Sequence, residues 1–79
     1  MSERSKKLLS TLLVLGAQSP ERALTIEELA TKLGVEASGM EAELRRLLDA
    51  GYANVTSASG TPKVYLTGTG IITASSTYS

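Results

Sequence analysis

Two short amphipathic segments, set almost end to end in the middle of the chain, restrict its fold more than any other feature. The first opens at Thr25 and closes at Gly34, with Ile26, Leu29, Ala30 and Leu33 on one helical stripe. Thr25 and Glu28 stand at capping-box spacing, so the Thr25 hydroxyl can accept from the Glu28 amide while the Glu28 side chain reaches back. Gly34 follows the last apolar position, where a left-handed residue ends a helix at least cost. Val35 is expected as the buried residue of a tight turn. The second segment then runs to Gly51, with Met40, Leu44, Leu47 and Leu48 on one face. Ser38 and Glu41 repeat the capping-box spacing, and Gly51 repeats the stop. Two helices joined by a short glycine-containing turn read as a helix-turn-helix, a pattern that generic three-helix bundles share.

The flanking segments separate these two readings. Upstream, Leu8, Leu12 and Leu15, widened by Leu9 and Leu13, make an apolar face on a helix expected over about Ser5 to Ala17. Gly16 and Pro20 end it. That face is either core packing or a dimer seam, and Val14, off the main stripe, is the first candidate for such a contact. After Gly51 the chain turns to Val, Thr, Tyr and small residues. Tyr52 to Thr56 alternates, with Ala53 and Val55 on one side; Lys63 to Thr67 alternates, with Val64 and Leu66 on one side. Between them, Ser57 to Pro62 has turn chemistry. Leu24 supplies a third, very short strand. This order predicts an α+β fold, a winged helix-turn-helix with a three-helix core and a C-terminal β-hairpin wing. The chain, 1–79, reads as one domain with a core over about 6–72 and a loose polar tail over 75–79. Leu12, Leu29, Leu33, Met40, Leu44, Leu47 and Leu66 are expected to be buried.

Composition excludes whole classes of chemistry. With no Cys and no His, the chain holds no disulfide, thiolate nucleophile, zinc finger or imidazole base. No acidic cluster has calcium-loop spacing and no nucleophile–base pair is identifiable, so neither an enzyme nor a metal or cofactor site is expected. The apolar run Leu12 to Leu15 is far short of the ~20 residues of a membrane span. Ser10 and Thr11 break the signal-like start, and the expected setting is cytoplasmic, away from membranes. Eight basic residues balance eight acidic ones. That balance runs against nucleic-acid binding, which draws non-specific affinity from an excess of Lys and Arg.

Three stretches resemble winged-helix transcriptional regulators of the MarR/ArsR type. Leu24-Thr25-Ile26-Glu27-Glu28-Leu29-Ala30-Thr31-Lys32-Leu33-Gly34-Val35 looks like their second helix. Leu44-Arg45-Arg46-Leu47-Leu48-Asp49-Ala50-Gly51-Tyr52 is similar to the end of their recognition helix, and Val64-Tyr65-Leu66-Thr67 with Gly70 to their wing strand. The resemblance covers about residues 6–72 and implies double-stranded DNA as the partner. The chain departs from the family after Thr67. Gly68, Gly70 and the β-branched Ile71, Ile72 and Thr73 weaken a terminal helix, which is expected to be short or absent. No room remains after it for an effector domain, so the expectation is a stand-alone regulator, with any homodimer formed through the first helix.

Stepping about 100° per residue from Met40 inward turns Ser38, Ala42, Arg45 and Asp49 outward, with Gly39, Glu41 and Arg46 on the flanks. Ser38, Gly39, Glu41, Ala42, Arg45, Arg46 and the wing residue Lys63 are the candidate DNA-binding residues. Small residues admit close approach to a major groove, and Arg45 or Arg46 suits a phosphate or a guanine edge. Two readings of the arginines stand: DNA contact, or solvated pairs such as Arg45 with Glu41 or Asp49. Lys63 either serves the wing or is an ordinary solvated lysine. Arg4, Lys6 and Lys7 either reach a neighbouring phosphate or serve solubility. The alternative function is a protein-interaction module in a larger assembly, with Glu36, Glu41 and Glu43 facing a basic partner.

Overall fold

The computed structural model describes residues 2–78, with side chains described through Ser76. Helix α1 (Glu3–Val14) starts at a Ser2 cap, whose hydroxyl accepts from the Ser5 N–H at 3.1 Å. It stops before the expected Ala17 because Ala17 serves the sheet instead. The Ala17 N–H donates to the Leu12 carbonyl at 2.9 Å, and its own carbonyl accepts from the Leu66 N–H at 2.7 Å.

Strand β1 (Leu24–Thr25) leads directly into α2 (Ile26–Leu33). The expected capping box is present: Glu28 N–H donates to Thr25 Oγ1 at 3.1 Å, and Thr25 N–H donates to Glu28 Oε1 at 2.9 Å. Gly34 closes α2 in the left-handed conformation, with φ of 70°. The Thr25 N–H first, then the Thr25 hydroxyl, hold the Glu28 carboxyl below its usual range against an opposing desolvation, with a smaller contribution from the charge of Lys63. A carboxylate depressed in the folded state contributes stability that is present above its unfolded pKa and lost as pH falls through the folded value. Urea melts of Glu28→Gln are therefore expected to show a flatter acid limb below about pH 4.3 than the wild type. An acid limb unchanged by the substitution would contradict this role of the box.

Val35 is exposed rather than buried. Its N–H donates to the Ala30 carbonyl at 3.0 Å, closing the turn through the backbone, while Met40 and half-buried Ala37 take the inward positions. The expected Ser38–Glu41 capping box is also absent. Residues Ala37–Met40 wind as a tight 3-10 turn, with Gly39 N–H donating to the Glu36 carbonyl at 3.0 Å. Helix α3 (Glu41–Asp49) begins only after it, with Met40 at the cap position and no side-chain cap bond. Strands β2 (Ala53–Thr56) and β3 (Lys63–Leu66) form the hairpin, and the antiparallel sheet has the order β1-β3-β2. Leu24 pairs with Val64, and Thr25 and Thr56 flank Lys63 on either side.

The core is aliphatic. Of the residues expected inside, Leu12, Leu29, Met40, Leu44, Leu47 and Leu66 are buried, and Leu33 is half-buried against them. Helix α1 packs on α2, α3 and α4, which consumes Leu8, Leu9 and Leu12, each at most 1% exposed. What α1 leaves outside is Val14 and Leu15 at its far end.

The terminal helix is not short or absent: α4 spans Gly68–Tyr78 and continues through Ser75 and Ser76, where the sequence predicts a loose tail. Ser79 lies outside the described residues. Tertiary contacts override the weak local propensity. Thr67 anchors the start, its hydroxyl donating to the Gly51 carbonyl at 2.6 Å and accepting from the Gly70 N–H at 3.0 Å. Ala74 is fully buried beneath.

Candidate nucleic-acid interface

The turn before α3 and the outer face of α3 form one continuous exposed surface. Ser38 and Gly39 lie in the turn; Glu41, Ala42, Arg45 and Arg46 follow on α3, and all six are exposed or nearly so. Leu44 and Leu47 hold the opposite face in the core, which fixes the helix in rotation about its axis. A Cβ built on Gly39 would meet nothing within 4 Å, so the turn opens onto solvent rather than onto protein. Near its start this surface therefore carries only small side chains, at Ser38, Gly39 and Ala42, with long cations one turn further on.

The two arginines differ. Arg46 lies 4.0 Å from Glu43, whose side chain is only 14% exposed. Arg45 makes no ion pair among the described residues, with neither Glu41 nor Asp49 as expected for a solvated pair. Its guanidinium is thus uncommitted and central on the outward face.

Lys63 stands apart from this group. It is half-buried on the central strand, between Thr25 and Thr56 and within electrostatic reach of Glu28. The hairpin turn itself, residues 57–62, carries no charged side chain. Arg4 and Lys7, for which the sequence leaves phosphate contact and solubility both open, line the same groove as Gly39 and Glu43. Both are exposed on α1, Arg4 on the flank next to Leu8, one turn away, and Lys7 further round toward solvent. Among the described residues, no group of three or more Asp or Glu is placed to hold a metal ion, and no helix is long and apolar enough to cross a membrane.

No protein-family model and no curated protein matches this sequence. Among solved structures, MepR of S. aureus, bound to ethidium bromide, superposes with a TM-score of 0.80 over 99% of this chain at 16% identity. The likeness shows the fold, a winged helix-turn-helix shared with MepR. The present chain covers 55% of the length of MepR, so about half of that protein has no counterpart here. In winged-helix terms, α2 and α3 are the helix-turn-helix pair, and β2 with β3 is the wing.

Proposed function

We propose that this winged helix binds double-stranded DNA as a cytoplasmic, non-enzymatic transcription regulator, laying α3 in the major groove. The observation that carries the reading is the outward face of α3 with its preceding turn. It is low and small-residued at Ser38, Gly39 and Ala42, with Arg45 standing uncommitted at its centre. A major groove of about 12 Å admits one helix, and small residues at the leading end allow base edges to approach. In this reading Arg45 reaches a base edge, Arg46 and Lys63 touch phosphates, and Ser38, Gly39, Glu41 and Ala42 lie against the groove.

The acidic alternative loses one of its members. Glu43 is largely covered and engaged with Arg46, so Glu36, Glu41 and Glu43 do not present three equally available carboxylates to a basic partner. A homodimer through α1 would have to use Val14 and Leu15, because Leu8, Leu9 and Leu12 are committed to the core.

The test is a titration of wild type and Arg45→Ala with duplex DNA of random and selected sequence. Hydrogen bonding of Arg45 to a base edge is worth about 1–3 kcal/mol of discrimination. Preference for the selected site is therefore expected to fall by roughly 5- to 150-fold in Arg45→Ala, at unchanged fold. Wild-type protein that shows no salt-sensitive binding even at low ionic strength would overturn the reading.

A further inference from the structure

We propose that the amino-terminal turns of α1 form a second phosphate-binding element of the DNA interface, carried by Arg4 and Lys7. The inference rests on the DNA reading above and extends it to a helix outside the helix-turn-helix pair.

The first observation is placement. Ser5, Leu8, Leu9 and Leu12 turn into the core. That rotation leaves Arg4 and Lys7, three residues apart, as exposed neighbours, Arg4 on the flank of the core face and Lys7 beyond it toward solvent. The fold then brings them to the leading end of α3. Arg4, Lys7, Gly39 and Glu43 line one groove of about 290 Å³, over Leu8 and Met40. Two packed helices lie about 8–10 Å apart axis to axis. A helix of about 10–12 Å diameter fills a major groove about 12 Å wide. The sugar–phosphate strands bounding the groove therefore run along the flanks of the inserted helix, where a helix packed beside α3 presents its outer turns.

The second observation is charge. Helix α3 offers Arg45 and Arg46 against Glu41, Glu43 and Asp49, two cations against three carboxylates, a net −1 that repels phosphate. Arg4 and Lys7 bring the same surface to four cations against three carboxylates, a net +1. They also carry their charge unspent. Lys6 lies 3.5 Å from Glu3 and Arg46 lies 4.0 Å from Glu43, while Arg4 and Lys7 make no ion pair among the described residues. Counted over α3, Arg4 and Lys7, the junction of α1 with α3 thus moves from −1 to +1 in a chain of zero net charge, with Glu36 at the far end of the preceding turn.

The measurement is duplex affinity across a salt series, from about 50 mM to about 200 mM, for the wild type and the double variant Arg4→Ala, Lys7→Ala. Each phosphate contact contributes about 0.9 to the slope of log affinity against log salt. The double variant is expected to lose about 1.8 from that slope, and so to lose about tenfold less affinity than the wild type across the series. Circular dichroism is expected to be unchanged, because both side chains are exposed on α1. The charge-preserving pair Arg4→Lys, Lys7→Arg is expected to keep the slope. Arg22→Ala, a cation beyond the opposite end of α1, is expected to leave it unaltered. A wild type that binds with salt sensitivity beside a double variant of the same slope overturns this inference and leaves the DNA reading standing. A wild type without salt-sensitive binding overturns both.

Discussion

Gly70→Ala is expected to destabilise the domain by about 3 kcal/mol or more. Two effects oppose each other. Alanine is the better helix former by about 1 kcal/mol, and Gly70 sits inside α4. Yet a Cβ on Gly70 would fall well inside the contact distance of the Tyr52 carbonyl oxygen, and 2.8 Å from the carbonyl carbon behind it. That carbonyl cannot retreat freely, since it also accepts from the Thr67 N–H at 3.1 Å. The Leu66 Cδ2, 3.2 Å from the same Cβ, can yield, but the Tyr52 contact is with backbone and is not relieved by any side-chain movement. Relief requires α4 to lift from the sheet, which exposes Ala74 and loosens the Thr67 anchor. A domain of this length has roughly 4–12 kcal/mol of stability in all, so the expected fall in Tm is more than about 12 °C. A Gly70→Ala protein that melts higher than the wild type would mean that helix propensity outweighs the steric clash and that α4 does not lie this close to Tyr52.

The second large effect falls on the inner face of α3. Leu44 is buried, 5% exposed, within the cluster that joins α1, α2, α3 and the sheet. Leu44→Ala is expected to cost about 2–5 kcal/mol through reduced burial and the cavity left behind, a large share of the total. Its neighbour Arg45 points the other way, and removing an exposed side chain of this kind changes stability by no more than about 0.5 kcal/mol. Adjacent residues thus separate core packing from the exposed face of α3. Urea denaturation reads the difference, and an unchanged midpoint for Leu44→Ala would place the apolar face of α3 outside the core.

What the residues reveal, and what they conceal, divides along local and non-local physics. The Thr25–Glu28 box and the Gly34 stop depend only on residues three or four apart, and both are visible in sequence and present in structure. The outward set of α3 follows from Met40 pointing inward, and Ala42 and Arg45 are indeed exposed. The 3-10 turn is hidden because Ser38 and Glu41 satisfy the spacing of a cap; only the backbone bond from Gly39 to Glu36 decides otherwise. Which arginine pairs is equally hidden, since each pair at three or four residues is worth only about 0.2–0.5 kcal/mol. Helix α4 is the largest omission. Its glycines and β-branched residues argue against a helix locally, and its causes lie in Gly51, Tyr52 and α1, distant in sequence. The approach of Arg4 and Lys7 to α3 is likewise a product of packing, invisible to a reading of either helix alone.

Whether α3 and the turn before it meet DNA can be tested residue by residue. The measurement follows amide chemical shifts of isotopically labelled wild-type protein while random-sequence duplex is added at low salt. Perturbations are expected to concentrate in Ser38 to Arg46, with further shifts at Lys63 and at Arg4 and Lys7, and little change along α4. Perturbations confined to α4, or none at all at saturating duplex, would contradict DNA binding through α3.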